Sequence, residues 1–359
     1  FNVKYSLLKN LDLLYRVGYD YYNENHILTI NKGGVTRSAE LEYTKGIYRT
    51  ISANNKIWDH SLIAQYQTDF SSKLRFDLTG GFNANEELYD QTGMKSTDQL
   101  VFGLFDHSNF INHDTRAEDG TDMDVKSAVQ SVGVFAQAGL SYNEYVYFNI
   151  GARNSWSSTL EKANRSQFYP SASISFVPTS ALAFLKGNRI INYLKLRSGY
   201  ATSANFPAPY RTRPSLIIST NDFVTRGGAV VNTNTISNTL ANPNLKPELL
   251  REFETGLEAR LINNRVSIDF TWYQRTSSDQ ILTRPLDPST GFETTTINAG
   301  DLVNKGIELG VGVTPVKTRN LTWQVDVNFS RNRSMVKNLP AEIAQVQTGG
   351  LFSNIGNFA

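Results

Sequence analysis

Hydrophobic and polar residues alternate with a period of two along most of this chain. In the clearest stretch, residues 252–261, one set of alternate positions is apolar apart from Thr255, and Glu, Gly and Arg occupy all the positions between. The alternation resumes after a short Ile-Asn-Asn segment and continues through residues 265–272. A period of two is typical of a β-strand with one apolar and one polar face, and two such runs joined by Asn-Asn predict a tight hairpin.

The same pattern predicts strands in most other parts of the chain. They lie at residues 11–21, 48–70, 74–89, 132–140, 146–152, 169–176, 193–200, 307–313 and 325–329. Together with the hairpin this makes about a dozen strands. The 17 Tyr and 20 Phe residues belong to a strand-forming composition. The chain is therefore predicted to be all-β and antiparallel.

The lengths of the predicted connections indicate what kind of β-protein this is. Tight turns fall at 71–72, at 143–144, at 263–264 and near Arg319, whereas the connections 90–126, 157–167, 202–248 and 277–298 are long and polar. Transmembrane β-barrels have short periplasmic turns and long extracellular loops, and a soluble sandwich has no reason to keep that order. Aromatic residues near the strand ends fit two interfacial girdles: Phe70, Tyr142, Tyr145 and Tyr147 beside turns, Trp156 and Trp272 at the opposite ends.

Composition and charge narrow the function classes. The 35 basic and 33 acidic residues leave a formal charge of +2, without the clustered basic face of a nucleic-acid-binding protein. The absence of cysteine excludes disulfides, thiolate catalysis and cysteine metal sites. No apolar run reaches about 18 residues, so a transmembrane helix is excluded, but a barrel strand needs only about 9 to 11 residues. Since the chain starts at Phe1 without a signal-like segment, we expect a mature internal fragment.

Five sequence motifs carry a resemblance to a known family. They are RNSWSSTL (153–160), FYPSASISF (168–176), LKLRSGYATSAN (194–205), NPNLKPE (242–248) and INAGDLVNKGIEL (297–309). In spelling, order and spacing they resemble the SusC/RagA family of TonB-dependent outer-membrane transporters. Residues 1–130 match this family only in alternation and loop rhythm.

The resemblance implies a plugged barrel of about 22 strands, of which residues 1–359 would form part of one transmembrane domain. The plug and the final strands would lie outside this chain. It implies a multi-pass protein of the bacterial outer membrane that imports large nutrients, oligosaccharides or peptides, and that works with TonB and with a SusD-like lipoprotein lid. No cofactor is implied. No Walker loop for nucleotide binding is present, so the energy for transport would have to come from elsewhere. The alternative is a structural or adhesive surface β-protein bound to other envelope machinery.

Charged positions on the polar faces of the strands are the candidate lumen wall. They are Glu254, Glu258, Arg260, Asp269 and Glu308. Paired carboxylates can also serve acid catalysis, but that chemistry requires desolvation and a partner geometry that a wide wet lumen does not supply. We therefore predict wall contacts with plug or solute, no catalytic residue, and no enzyme.

The connection at residues 204–234 is the candidate contact region for solute or lid. It carries interleaved aromatic and guanidinium side chains: Tyr210, Arg211, Arg213, Phe223 and Arg226. Aromatic rings stack on sugars or apolar side chains, and Arg binds carboxylates and carbonyls. The alternative is a loop whose aromatic residues only pack on their neighbours.

Metal sites receive weak support from the sequence. Asp119, Asp122 and Asp124 are close together as in a calcium loop, but their spacing departs from the EF-hand and the closing Glu is missing. A solvated acidic loop is the favoured interpretation. The four histidines, His26, His60, His107 and His113, are scattered, and the last two share one loop without zinc spacing.

Overall fold

The computed structural model describes residues 1–34, 42–117 and 122–339, and these are built mainly of antiparallel strands. The first nine strands are β1 (Asn2–Leu8), β2 (Leu11–Ile30), β3 (Ile47–Ser71), β4 (Leu74–Gln99), β5 (Phe110–Asp114), β6 (Val125–Tyr142), β7 (Val146–Ser157), β8 (Ser166–Phe176) and β9 (Ile191–Asn205). The others are β10 (Leu216–Val224), β11 (Val230–Ile236), β12 (Thr239–Leu240), β13 (Glu248–Leu261), β14 (Val266–Ser278), β15 (Ile281–Pro285), β16 (Thr294–Asn298), β17 (Asp301–Lys317) and β18 (Thr322–Lys337).

In the part of the chain that the structure describes, helical structure is limited to short segments. Two four-residue helices, α1 (Glu42–Lys45) and α2 (Pro178–Ala181), and two 3-10 turns, His107–Asn109 and Pro288–Thr290, interrupt the connections. Within the described ranges, no helix has the length and hydrophobicity to cross a membrane. The prediction of an all-β chain is confirmed.

Twelve strands follow one another in the main sheet. Its hydrogen-bonded order is β1-β2-β3-β4-β6-β7-β8-β9-β13-β14-β17-β18, with β5 attached to β4. Among the described residues this path is open, since it begins at β1 and ends at β18. The predicted strands are all present, and most are longer than predicted. The sequence pattern missed β1, whose seven residues are all exposed, because it is short and has no buried face to impose regular alternation.

Contacts between Cα atoms divide the chain into two compact units. The first consists of Phe1–Val3, Tyr15–Ser61 and Asn83–Ser131, and the second of Lys4–Leu14, Leu62–Phe82 and Val132–Ala359. Inside the first unit, the side chains of Ile47, Ser96 and Met123 are almost completely buried. The candidate lumen wall and the candidate contact loop both belong to the second unit.

Strand register separates the second unit's sheet into an apolar face and a polar face. Leu196, Leu257, Phe270, Leu309 and Phe329 are successive neighbours across five strands. The next position along each strand points to the other side. There the neighbours are Lys195, Glu258, Asp269, Gly310 and Asn328.

Many side chains of the apolar face are exposed. The large ones include Phe148, Ile150, Phe168, Ile174, Leu196, Phe253, Val327 and Phe329, between 42% and 57% exposed. An apolar surface this extensive requires lipid or another protein surface, because water does not solvate it favourably.

The tight hairpin predicted after residue 261 is present and has unusual backbone angles. Ile262, Asn263 and Asn264 all have positive φ, between 52° and 60°. Asn tolerates this region better than most residues, which explains the Asn-Asn pair. The amides of Ile262 and Asn263 donate to the carbonyls of Ile190 and Arg189, at 2.8 and 3.0 Å, so the turn is tied to the end of the 177–190 connection.

The long polar connections contain structure of their own. The strand predicted to end at residue 89 continues to Gln99 and pairs there with β5. The connection from β9 to β13 contains the hairpin β10–β11, and the one from β14 to β17 contributes β15 and β16 to a three-stranded sheet with β12. These segments form strands through pairing across the connections, which a local pattern does not reveal.

The two faces predict different responses to an introduced charge. Ile268 lies on the apolar face between Ala259 and Val311, whereas Ser267 lies on the polar face near Asp326. If the apolar face contacts lipid, Ile268→Arg should lower the free energy of unfolding by about 2 to 4 kcal/mol. Ser267→Arg should be tolerated, because water and the nearby Asp326 solvate the new charge and offset its repulsion from Arg260, which lies directly opposite. Denaturant titration in lipid vesicles measures both, and equal losses would contradict the assignment of faces.

Candidate functional site

An arginine on β9 is the centre of a charged cluster on the polar face. The Arg197 guanidinium forms ion pairs with Glu258 (Nη1 to Oε1, 2.8 Å), Asp269 (Nη2 to Oδ1, 3.2 Å) and Glu254 (Nε to Oε1, 3.4 Å). Its Nη2 also donates to Thr271 Oγ1 at 2.6 Å. One cation therefore links carboxylates of β13 and β14 to strand β9.

A glycine explains how Arg197 reaches across a whole strand. Gly256 lies directly opposite Arg197 on β13. A Cβ atom at this position would stand 2.7 Å from the carbonyl oxygen of Phe270 and 3.1 Å from Arg197 Nε. Because Gly256 has no side chain, the guanidinium can lie flat over β13 and contact β14. Lys195 adds a second cation, with its Nζ 3.2 Å from Glu258 Oε1.

The structure brings together three of the five predicted wall residues. Glu254, Glu258 and Asp269 converge on Arg197, whereas Arg260 lies apart, with its guanidinium 5.6 Å from the centre of the Tyr193 ring. Glu308 is exposed and lines a shallow groove that Arg197 and Asp269 also line. The assignment of these five residues to a lumen stays a prediction.

Sequence reasoning missed Arg197 itself. A signal was present, because Lys195 and Arg197 share one face of the predicted strand 193–200. Their acidic partners are more than fifty residues away in sequence, and only the pairing of β9 with β13 identifies them.

The chemistry open to this wall is reversible polar contact. The side chains of Arg197, Glu258, Glu254 and Asp269 are 27%, 34%, 42% and 57% exposed, so water reaches all of them. An open groove of about 450 Å³ along the sheet is lined by Lys195, Arg197 and Glu254 and by serines of β8. Such a surface suits hydrated solutes or polar protein segments.

One predicted contact residue, Arg213, is engaged by another connection of the chain. Its Nε and Nη2 donate to the two carboxylate oxygens of Glu161, at 2.7 and 3.0 Å, and Thr212 Oγ1 donates to the same carboxylate at 3.1 Å. The hydrogen bond from Arg213 holds the pKa of Glu161 below its ordinary value. The pair ties the 158–165 connection to the start of the long one.

The other contact candidates lie at two separate places. Tyr210 is 62% exposed with a positive φ of 63°, and Arg211 beside it is exposed. Arg226 is exposed in the turn that joins β10 to β11. The backbone of Phe223 pairs with Val231 near that turn, and its side chain lies outside what the structure describes. The hairpin thus separates Tyr210 and Arg211 from Phe223 and Arg226.

Two of the sequence motifs dock onto each other. Asn298, in the motif 297–309, donates from Nδ2 to the carbonyl of Lys246 and accepts from the Lys246 amide, both at 2.8 Å. Asn242 Nδ2 donates to the carbonyl of Thr296 at 2.9 Å. Leu245, between the two contact points, is completely buried. These residues clamp the base of the β9–β13 connection to the β14–β17 connection, and sequence reasoning did not anticipate this contact.

Two of the four histidines come together in the first unit. Nδ1 of His107 and Nδ1 of His113 lie 2.8 and 2.7 Å from Ser96 Oγ, and His107 Nε2 lies 2.9 Å from Thr50 Oγ1. Burial, and secondly the charge of the nearby His113, lowers the pKa of His107, which lies in the connection between β4 and β5. The other two are elsewhere: His26 contacts Glu24 at 2.7 Å and His60 contacts the Tyr15 hydroxyl at 2.9 Å.

The acidic loop does not show an assembled metal site in the described ranges. Asp122 Oδ1 accepts from the Asp124 amide at 3.0 Å, and Asp124 Oδ1 accepts from the Gly93 amide at 3.1 Å. Asp119 lies outside the described residues. Across residues 1–34, 42–117 and 122–339, no three metal-binding side chains form a group. The calcium hypothesis therefore stays a prediction.

The antiparallel sheet with one apolar and one polar face defines the class of protein: a strand array of a membrane β-barrel. The family model "TonB dependent receptor-like, beta-barrel" matches residues 1–351, and the chain belongs to this family of outer-membrane receptors and transporters. The predicted resemblance to TonB-dependent transporters and the predicted fold class are both confirmed.

Similar curated proteins carry related names. TonB-dependent receptor P26 of Formosa agariphila is 25% identical over 291 residues, which cover 80% of this chain and 28% of that protein. TonB-dependent receptor P3 of the same organism is 30% identical over 58% of this chain and 20% of its own length. TonB-dependent receptor SusC of Bacteroides thetaiotaomicron is 24% identical over 63% of this chain and 22% of its own length. The chain thus spans less than a third of these relatives.

Solved structures share the fold. The RagAB peptide transporter superposes with a TM-score of 0.77 at 20% identity, over 96% of this chain and 36% of that one. The outer membrane transporter YddB of Escherichia coli gives a TM-score of 0.56 at 14% identity, over 92% of this chain and 41% of that one.

Removing the Arg197 guanidinium should destabilise the sheet. Arg197→Ala leaves the carboxylates of Glu254, Glu258 and Asp269 close together without their shared cation. Because the site is partly wet, we expect a loss of about 1 to 2 kcal/mol in the free energy of unfolding. Arg260→Ala, on the same face, is the control and should cost less than about 1 kcal/mol. Denaturant titration in micelles measures both, and equal losses would contradict a central role for Arg197.

The contact between Glu161 and Arg213 should weaken in acid. Since the folded protein lowers the pKa of Glu161, this carboxylate stabilises the contact above its ordinary pKa, and the stabilisation disappears as the pH falls through the lowered value. Spin labels on the two connections should separate in the wild type only at a pH below the ordinary glutamate pKa of 4.5. In Glu161→Gln they should already be separated at neutral pH, whereas Arg211→Gln should behave as wild type. A wild-type distance that does not change with pH would refute this role.

Proposed function

We propose that this chain forms part of the wall of a bacterial outer-membrane importer of large polar nutrients, either oligosaccharides or peptides. In this proposal the barrel crosses the membrane many times, a plug segment couples it to TonB, and a SusD-like surface lipoprotein covers it. The observation that carries the proposal is the separation of the sheet into an apolar and a polar face by strand register.

The two faces suit the two environments of a barrel wall. The exposed aromatic and aliphatic residues of the apolar face match lipid, and the hydrated charged cluster around Arg197 matches a wet lumen. Lumen residues in ion pairs stay fixed in water and still offer hydrogen bonds to a passing solute or a plug. This chain spans about a third of the RagAB chain and less of its own curated relatives. The cargo, the plug and the lid of the whole protein are therefore proposed here.

Similar proteins support the kind of cargo. RagAB is a peptide transporter, and SusC is a TonB-dependent receptor. A peptide or an oligosaccharide is a large polar solute, which suits the hydrated polar face of this sheet. The proposed cargo class is therefore an oligosaccharide or a peptide.

The long connections provide the surface for solute or lid. The clamp between Asn298 and Lys246 and the pair of Glu161 with Arg213 fix the base of the β9–β13 connection. Tyr210, Arg211 and Arg226 remain exposed on this anchored base and hairpin. Fixed loops with exposed aromatic and guanidinium groups bind ligands with little loss of conformational entropy.

Uptake by the complete protein tests this proposal. Tyr210→Ala combined with Phe223→Ala should weaken the apparent affinity for the imported oligosaccharide or peptide by about 1 to 3 kcal/mol, because aromatic anchors are lost. Phe184→Ala removes an exposed aromatic from the 177–190 connection, between β8 and β9, and should leave uptake unchanged. Both variants must reach the outer membrane at the wild-type level.

Surface labelling supplies the second measurement. An epitope tag inserted at Asn232 should be labelled on intact cells, and a tag at Asn263 should be protected. Labelling of both tags would indicate a soluble or adhesive surface protein, and the reverse pattern would invert the topology. Normal topology with unchanged uptake of every cargo in the double variant would reject the contact role of the loop.

A further inference from the structure

Cross-strand rows on the apolar face of β13, β14, β17 and β18 show a sharp change in chemistry. Beginning at the tight turns, three consecutive rows contain only apolar side chains. They are Leu261, Val266, Val313 and Val325; Ala259, Ile268, Val311 and Val327; and Leu257, Phe270, Leu309 and Phe329. This part of the face has the composition of a lipid-contacting belt.

Aromatic side chains follow in the next two rows. The rings of Phe253 and Trp272 meet edge to face, with their centroids 6.0 Å apart. Aromatic residues at this position are typical of the boundary between hydrocarbon and headgroups. Because these rows lie toward the long connections, the boundary would be the one at the outer surface of the membrane.

Four cations lie at and just beyond this aromatic boundary. Arg331 is opposite Ile307, Lys305 is opposite Arg333, and Arg251 lies on β13 two residues beyond Phe253. All four side chains belong to exposed residues of the apolar face. These four residues, Arg251, Lys305, Arg331 and Arg333, are called the basic band below.

The basic band lacks anions of its own. Within the part of the chain that the structure describes, none of the four cations forms an ion pair. The one acid on this face of the four strands is Asp301, which lies opposite Lys337, a fifth cation farther from the aromatic rows, and accepts a hydrogen bond from Asn338. Lys305 and Arg333 are directly opposite each other, an arrangement that is destabilising unless an anion lies nearby.

The polar face of the same strands is different. Arg275 on β14 pairs there with Glu252 at 2.8 Å, and Lys195 and Arg197 on the neighbouring β9 pair with Glu258, whereas Arg260 on β13 lies over the Tyr193 ring. Three of these four polar-face cations are therefore neutralised by carboxylates of the chain, whereas none of the four cations of the basic band is. This asymmetry indicates that the counter-ions of the basic band come from outside the chain.

We propose that the basic band binds the phosphate groups of a phosphorylated glycolipid in the outer leaflet of the outer membrane. Arg forks and Lys bind phosphate oxygens well, and long cationic side chains beside an aromatic belt extend to headgroup level. This inference rests on the proposed function, since it requires the apolar face to contact lipid.

Another strand of the complete protein is the main alternative source of anions. β18 ends the described sheet, so an acidic neighbouring strand could neutralise Arg331 and Arg333. It could not neutralise Arg251, because β14 and β17 lie between β13 and β18. A lipid headgroup layer covers all four positions at once.

The experiment uses the complete protein, reconstituted in phosphatidylcholine vesicles that contain lipid A, in either its phosphorylated or its dephosphorylated form. Bound lipid A is counted by native mass spectrometry. The wild type should prefer the phosphorylated form, and each cation replaced by Gln should weaken this preference by about fivefold. The matched control replaces four exposed cations near the opposite strand ends, Lys186, Arg189, Lys317 and Arg319, by Gln and should keep the preference.

A charge-retaining variant protects the test against misfolding. Arg251→Lys, Arg331→Lys and Arg333→Lys together should keep most of the preference even if the Gln variant assembles poorly. Wild-type protein that enters vesicles but binds both forms of lipid A equally overturns this inference and leaves the proposed function standing. Protein that does not insert into vesicles contradicts the proposed function itself. Displacement of lipid A by inorganic phosphate at equal concentration would overturn the lipid assignment.

Discussion

Hydrogen bonding in fixed register is the constraint on which the rest of this structure depends. Adjacent antiparallel strands exchange backbone hydrogen bonds, and side chains alternate strictly between the two faces. A slip of one residue between β13 and β14 would place Glu258 opposite Ile268 and move charges into the apolar face. The three uninterrupted apolar rows and the charged cluster on the other side exist together because one register serves both.

The polar face shows how a sheet can keep many charges without a dry core. Arg197 shares its guanidinium among three carboxylates and a hydroxyl, and Gly256 provides the space over which it lies. Partial exposure keeps the desolvation cost low, so the cluster needs no buried geometry. A polar face of this kind remains hydrated, as the inner face of a membrane barrel requires in this family of outer-membrane receptors and transporters.

Side chains anchor the long connections by forming hydrogen bonds with backbone groups, in place of a neighbouring strand. Asn298 both donates to and accepts from the Lys246 backbone, as a neighbouring strand would, and Glu248 accepts from the Ile281 amide at 2.8 Å. Glu161 and Arg213 add an ion pair between two other segments. The connections therefore have fixed bases, and Arg211 and Arg226 are exposed on them.

The sequence by itself determined what depends on neighbouring residues in the chain. Period-two alternation identified the strands of the main sheet other than β1, Asn263 and Asn264 marked the tight turn, and the shared parity of Glu254 and Glu258 placed both on the polar face. Only the tertiary structure decided which distant segments meet: Arg197 with Asp269, Asn298 with Lys246, and His107 with His113 through Ser96. The reason is physical, because alternation is a local property of the backbone, whereas these contacts depend on strand order and register between segments far apart in sequence.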